Sequence, residues 1–577
     1  MVTYQGIAAS QGIAIAPAFV FHKETLTIDR CTITDTAIEM GRLPAALHLA
    51  KYQLEQLYEQ TKREMGDEHA DIFQAHISML EDPELLRMIE NLVTEQKSNL
   101  EAAVWDATEY YAQTLSQLEG EYFQARALDV RDVGRRVIAI LQNKPTQTKI
   151  YLTQPYIILA QDLTPSDTVQ LDKKMVLGFC TVEGGETSHT AILARSLGLA
   201  AVVGAPIEIL SIPESTPLIL DGIKGLLYVD PHEHQIEASL KQRESAQDLK
   251  QRTLARCHEP AITKDGKQVE VVANIGNVQG AKSALEHGAE GVGLLRTEFL
   301  YLERTSIPDE EEQFQAYKSI LEVFGSLPVV LRTSDIGGDK EIPYLNLPHE
   351  MNPFLGERGL RLCLTHPELF KPQLKAAMRA AVAYNLKIMF PMVAVAEEIH
   401  QAKEILLQCK AELRQEGKAY VDDIEVGIMV EVPSAALMAD RFVSEVDFFS
   451  IGTNDLTQYT LAVDRTNPRL AYLASAFAPS VLSLIKMVIH SAHKHGKWVG
   501  VCGELAGEPL AVPILLGLGL DEFSMNPIAV PLAKHILRSL DTQTAKNIAE
   551  HVISLSSPDA VKKYVREQLQ QLGIEIE

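Results

Sequence analysis

From about Thr34 to Gln142 apolar residues recur every three to four positions, as at Ala45, Leu49, Tyr52 and Leu57 or Ile72, Met79 and Leu80. With few glycines between them, this spacing predicts a bundle of helices. The flanking pattern differs. Residues Gln5 to Phe21 alternate apolar and small side chains with glycines, and after Ile150 the runs Tyr156–Ala160, Ala200–Val203 and Leu218–Leu220 read as buried strands. One α/β domain, residues 1–24 and 146–230, is therefore expected to be interrupted by a helical bundle at 25–145.

Between Pro231 and His258 the pattern is helical but charge-mixed, with little apolar face, as in Glu237-Ala238-Ser239-Leu240-Lys241. It predicts a solvated connecting helix within 231–259. From 260 to 577 strand and helix alternate. Candidate strands are Val269–Ala273, Gly291–Leu295, Val329–Arg332, Lys387–Met392, Val426–Glu431, Phe448–Ile451, Trp498–Cys502 and Glu522–Met525. Eight strands separated by helices predict a (β/α)8 barrel. The fold class is thus multidomain α/β, an α/β domain with an inserted helical bundle followed by a C-terminal barrel.

Composition narrows this picture little. The 577 residues are 46% hydrophobic and 23% charged, as in ordinary globular proteins. No window approaches the ~18 apolar residues of a membrane span, and the N-terminus has no signal-peptide pattern, so a cytoplasmic protein without membrane insertion is expected. Six scattered cysteines fit reduced thiols. A formal net charge of −24 disfavours nucleic acid and favours a basic protein partner.

The chemistry concentrates at Gly184-Gly185-Glu186-Thr187-Ser188-His189-Thr190-Ala191-Ile192-Leu193-Ala194. Two glycines follow a strand, Thr187 and Ser188 supply capping chemistry, and His189 falls in the first helical turn. There the helix dipole favours an anion and disfavours imidazolium, leaving a neutral ring that can accept a phosphoryl group. Polar residues also gather at the C-terminal ends of the barrel strands: Arg296, Arg332, Glu431, Asn454, Asp455 and Cys502. Barrel enzymes place their sites on that rim.

The Gly184–Arg195 stretch resembles the phosphohistidine motif of the phosphoenolpyruvate-utilising enzymes, which include pyruvate phosphate dikinase, phosphoenolpyruvate synthase and enzyme I of the sugar phosphotransferase system. Asp447-Phe448-Phe449-Ser450-Ile451-Gly452-Thr453-Asn454-Asp455-Leu456-Thr457-Gln458-Tyr459 resembles the phosphoenolpyruvate signature of the same family. The likeness to enzyme I runs from Met1 to the C-terminus.

That resemblance implies a Mg²⁺-dependent phosphoenolpyruvate-protein phosphotransferase. Phosphoenolpyruvate would phosphorylate the His189 ring nitrogen farther from the backbone, releasing pyruvate. The group would then pass to the histidine of the phosphocarrier protein HPr, the first step of sugar uptake. The resemblance assigns Arg296, Arg332, Arg358 and Arg465 to substrate, with Lys340 and Asn454 as further phosphate contacts. Glu431 and Asp455 become Mg²⁺ ligands, and Cys502 the proton donor to enolpyruvate. It also implies that the bundle docks HPr, where Glu64 to Glu84 is acidic, and that the barrel forms a homodimer. His76 is expected to be a packed or capping histidine, and Ala125–Arg136 to form ion pairs. Glu186 departs from several relatives, which carry Arg or a small residue there. A dikinase or synthase would need a nucleotide module before His189, where about 190 residues are mostly helical. A non-catalytic phosphoenolpyruvate sensor would not need the intact set of His189, Arg296, Glu431, Asp455 and Cys502.

Overall fold

The computed structural model describes residues 2–21, 27–65, 67–117, 121–146, 154–168, 174–185, 188–302, 304, 306–338, 342–345, 347, 348, 350–465, 467, 470 and 472–576. For residues 64, 65, 67–69, 121–125, 165, 168, 189, 196 and 343 it describes the backbone alone. The chain forms two compact units, Met1–Ser245 and Ala246–Glu577.

In the first unit the strands are β1 (Val2–Gln5), β2 (Ile7–Ser10), β3 (Ile13–Phe21), β4 (Tyr156–Ala160), β5 (Val176–Thr181), β6 (Ala200–Val203), β7 (Pro217–Asp221) and β8 (Leu226–Val229). They form one sheet in the order β1-β8-β7-β3-β4-β5-β6-β2. The N-terminal segment supplies both edges and the central β3, which pairs parallel to β4 with Ala18 opposite Ile157. The sheet is thus closed across the helical insertion, as the interrupted strand pattern predicts.

Both sheet faces are covered. Ala14, Ala16, Ala18 and Val20 of β3 alternate inward and pack with Ile157, Leu159, Leu218 and Leu220. The opposite face buries Ile158, Phe179, Ala201 and Val203 against Ala191 and Ala194 of helix His189–Leu197. That helix is therefore seated by its small residues, with its first turn at the end of the sheet where β5 stops.

The insertion contains helices Thr36–Gly41, Leu43–Met65, Asp67–Leu80, Pro83–Thr94, Leu100–Ser116 and Glu121–Leu141. Leu54, Phe73, Ile89, Val104 and Val137 share its core. His76 is buried, edge-on to Phe73, with Nε2 3.2 Å from Asp129. Within the segment expected to form ion pairs, Arg126 pairs with Asp129, and Arg131 reaches out of it to Glu109. Arg136 is buried and donates to Gln53 at 3.0 Å and Ser166 at 2.8 Å, tying the bundle to the segment after β4. Helix Glu233–Ala255 follows β8; only Leu249 and Thr253 are buried along it, consistent with its charge-mixed sequence.

The second unit is a closed barrel of parallel strands: β9 (Glu270–Ile275), β10 (Val292–Leu295), β11 (Val329–Arg332), β12 (Leu386–Phe390), β13 (Val426–Val430), β14 (Phe448–Ile451), β15 (Trp498–Val501) and β16 (Glu522–Met525). Each expected strand is present, with ends moved by up to two residues. Closure between β16 and β9 sets Ser524 opposite Val272. Leu294, Val330, Met389, Met429, Phe448 and Cys502 fill the interior, and the Phe448 and Trp498 rings stack at 4.4 Å. A filled interior confines substrate chemistry to the rim.

Candidate functional site

In the first unit, Gly184 turns the chain after β5 with φ +105°, a left-handed conformation that suits glycine. Ser188 caps the helix, its Oγ accepting from the Ala191 N–H at 3.3 Å. His189 is the first helical residue, as the capping pattern predicts, and its side chain lies outside the described atoms. So do Glu186 and Thr187. Thr190 directs its hydroxyl to the Leu163 carbonyl at 3.0 Å, and Arg195 donates to the Ala9 carbonyl at 2.8 Å. These bonds hold both ends of the helix on the sheet, so the backbone N–H groups of its first turn are fixed where an anion could meet them.

In the second unit the rim residues converge. Arg332 ends β11 and is buried; its Nη2 lies 2.7 Å from Glu298 and its Nη1 3.2 Å from Asp335. Burial opposes the Arg332 charge, but Glu298, Asp335 and Glu431 outweigh it and hold the guanidinium ionised. Arg358, also buried, forks onto Asp335 at 3.0 Å through Nη2 and reaches Asp455 at 3.3 Å through Nη1. Its desolvation is likewise offset, first by Asp335 and then by Asp455. Such buried pairs are costly to form and hold geometry tightly once formed.

Glu431 follows β13 and accepts the Met392 N–H at 2.6 Å through Oε1. Burial, then the charges of Asp455 and Asp335, push its carboxyl up to about 8, against the pull of Arg332 and Arg358. Asp455 lies in the first turn of helix Thr453–Leu461, with Arg465 3.9 Å away. Asn454 exchanges hydrogen bonds with Glu504, its Nδ2 donating at 3.1 Å and its Oδ1 accepting the Glu504 N–H at 3.0 Å. Gly503 makes this contact possible: a Cβ there would stand 2.0 Å from Thr453 Oγ1. Cys502 follows β15 and is buried, with its N–H donating to the Ile451 carbonyl at 3.0 Å. Burial pushes its thiol up to about 12, keeping it protonated at neutral pH.

Arg296 follows β10 and is exposed. Lys340 lies outside the described residues. The rim thus brings together Arg332, Arg358, Glu431, Asp455, Asn454 and Arg465. It adds Glu298 and Asp335, which the sequence reading did not single out. Both follow strand-end arginines, Glu298 two residues after Arg296 and Asp335 three after Arg332. An acidic residue so placed is a readable signal for a buried ion pair.

This donor set suits two kinds of ligand. Arginine forks bind phosphate and carboxylate. Glu431 and Asp455 offer only oxygen, as a hard divalent cation prefers when it keeps water and substrate ligands. Among the described residues, no group of three or more His, Cys, Asp or Glu side chains could hold a metal by itself.

A parallel barrel with arginines and carboxylates on its rim, preceded by a capped histidine helix on its own sheet, defines a class of two-unit phosphotransfer proteins. Comparison with known proteins narrows the class. The family model described as "PEP-utilising enzyme, PEP-binding domain" matches residues 250–542. Those described as "PEP-utilising enzyme, N-terminal" and "PEP-utilising enzyme, mobile domain" match 5–126 and 152–225. The phosphoenolpyruvate-protein phosphotransferase of Priestia megaterium is 48% identical over 97% of this chain and 98% of its own length. That of Geobacillus stearothermophilus is 47% identical over 98% of both chains. The Bacillus subtilis protein of the same name is 46% identical over 98% of this chain and its full length. The chain belongs to the phosphoenolpyruvate-utilising enzymes and, within them, to the phosphoenolpyruvate-protein phosphotransferase family.

Proposed function

We propose that this protein takes the phosphoryl group of phosphoenolpyruvate onto His189, releases pyruvate, and passes the group to the histidine of the phosphocarrier HPr, opening sugar uptake by the phosphotransferase system. The observation that carries this reading is the joining of Arg332, Arg358, Glu431 and Asp455 in one cluster at the barrel mouth, in a chain with near-full-length phosphotransferase relatives.

In this reading Arg296, Arg332, Arg358 and Arg465 bind the phosphate and carboxylate of the substrate, with Lys340 and Asn454 as further contacts. Arg332 and Arg358 are already charged and fixed by their acid partners, so they meet developing phosphoryl charge without reorganising. Glu431 and Asp455 would hold Mg²⁺, which when bound neutralises the phosphate and carboxylate charge of the substrate. The His189 ring nitrogen farther from the backbone attacks phosphorus as the bond to the enolate oxygen breaks. Cys502 then gives its proton to the methylene carbon, a role that its high thiol pKa suits.

His189 must meet substrate and then the acceptor, so its domain is proposed to move, in keeping with the family description of 152–225 as mobile. The proposed divisions are 1–24 with 146–230, 25–145, 231–259 and 260–577. The bundle is the proposed HPr dock: Asp71, Glu81 and Glu84 contribute acidic charge to helices Asp67–Leu80 and Pro83–Thr94 and the turn between them. The barrel is the proposed dimer unit, which the exposed apolar Met351, Leu355, Leu437 and Met438 support. Among the described residues no helix is long and apolar enough to cross a membrane, and a cytoplasmic location is proposed.

Incubation with labelled phosphoenolpyruvate and Mg²⁺ tests the reading. Acid-labile, base-stable label should appear on the protein, move to added HPr, and be absent from His189→Gln. Normal transfer by His189→Gln would overturn it.

A further inference from the structure

Inside the barrel, below the rim, one carboxyl has no part in the scheme above. Glu522 begins β16, is 3% exposed, and its Oε1 has no hydrogen-bond partner. A buried carboxyl with an unpaired oxygen is costly in a packed interior and calls for an explanation.

The strand register supplies one. Ser450 of β14 lies opposite Gly500 of β15, and Gly500 opposite Glu522, so the three occupy one row of the barrel. Gly500 leaves the middle of that row to the Glu522 carboxyl: a Cβ there would stand 2.7 Å from Glu522 Oε1. The Ser450 hydroxyl on the other side is likewise buried and without a partner. Cys502 is two residues beyond Gly500, just past the end of β15, and shares the barrel interior with Met429 and Phe448. The Ser450 hydroxyl lies near enough to favour its thiolate without forming a well-made hydrogen bond, while a charged Glu522 would disfavour it. Two buried oxygens without hydrogen-bond partners therefore lie in the row beneath the thiol, with the Glu522 carboxyl over Gly500.

We propose that Glu522 resupplies the proton that Cys502 gives up, passing it over Gly500 through the Ser450 hydroxyl. The inference rests on Cys502 being the proton donor. After that donation the thiol is a buried thiolate and must be reprotonated before the next turnover. The Ser450 O–H bond breaks as the S–H bond forms, and Ser450 takes the proton of Glu522, leaving a carboxylate. That carboxylate regains a proton from water at the base of the barrel. The groups facing it there are Glu270 of β9, Lys387 of β12 and Asp521, the residue before β16. Lys387 also pairs with Glu425 at 2.6 Å and lies over the Trp498 ring. Burial pushes Glu522 up to about 8, so it holds a proton at neutral pH and is a far stronger acid than the Cys502 thiol.

Glu522→Gln keeps the shape and removes the transferable proton. The readout is the face on which carbon 3 is protonated when phosphoenolpyruvate carrying deuterium at one C3 position reacts in tritiated water with HPr in excess. The unmodified enzyme should protonate one face through many turnovers. Glu522→Gln should keep that selectivity in the first turnover and lose it at least tenfold afterwards, as enolpyruvate leaves and ketonises in solution. Ser450→Ala should behave in the same way, which keeps the test decisive if Glu522→Gln does not fold. Selectivity in both variants that persists over many turnovers overturns the proposal, as does loss from the first turnover together with slowed phosphorylation, which would mark a structural role. Should the unmodified enzyme itself show no facial selectivity, the assignment of Cys502 fails first.

Discussion

Arg358 reaches Asp455 at 3.3 Å, joining the loop after β11 to the turn after β14 across the mouth of the barrel. The same guanidinium holds Asp335 at 3.0 Å. One side chain thus sets the spacing of two carboxylates that lie 120 positions apart in sequence. Replacing it should have two separable effects. Arg358→Met leaves Asp335 and Asp455 without this buried partner and should destabilise the barrel by about 3–5 kcal/mol, read by denaturant unfolding. Arg358→Lys keeps a charge but not the fork, so phosphoenzyme formation in a rapid-quench assay should fall roughly 10²–10³-fold. Near-normal rates in Arg358→Lys would show that the fork is dispensable.

Gly503→Ala should disturb the rim without touching a charged group. The added Cβ would lie 2.0 Å from Thr453 Oγ1 and 2.5 Å from its backbone nitrogen, so the turn carrying Asn454 and Asp455 must shift. Overpacking of this kind costs roughly 1–3 kcal/mol. Phosphorylation by phosphoenolpyruvate should slow more than about tenfold, since displacements near an ångström are costly for positioned groups. A crystal structure of the variant with that turn unmoved would contradict the argument.

Thiol reactivity should separate the cysteines. Burial pushes Cys180, Cys363, Cys409 and Cys502 up to about 12. Cys31 is exposed. At pH 8 iodoacetamide should modify Cys31 first, with Cys502 at least roughly 10³-fold slower because its thiolate fraction is small. Peptide mapping after timed alkylation checks this, and prompt labelling of Cys502 in the folded protein would refute it.

Acid should weaken one surface network in a defined window. Hydrogen bonds from Lys375 and then Lys418 hold the Glu416 carboxyl down to about 2. A folded-state value below the unfolded one, about 4.3, contributes stability above that pH and loses it as pH falls toward 2. The melting temperature of Glu416→Gln should lie below that of the parent at pH 7. The gap should close progressively between about pH 4.5 and pH 2.5. A gap that stays constant down to pH 3 would exclude this source of stability.

Much of the architecture was legible because it is written in local periodicity. The eight barrel strands, the bundle and the connecting helix each follow from spacings that a chain satisfies over five to twenty residues. The capped turn before His189 was equally plain, because glycine, serine and helix formers act on their own neighbours. The rim was only partly legible. Arg332, Glu431, Asp455 and Cys502 stand at strand ends, and barrel topology brings strand ends together. Glu298 and Asp335 gave weaker notice: each follows a strand-end arginine within three residues, but which arginine each one faces is not written in that spacing.

By itself the sequence determined which segments are strands and helices, and therefore which polar residues share the rim, since backbone periodicity and barrel closure require nothing more. Only the tertiary structure decided the pairings: Arg358 with Asp335 and Asp455, Asn454 with Glu504, and the Glu522 carboxyl over Gly500. These are contacts between residues distant in the chain, and their energies depend on burial and separations that no local pattern encodes.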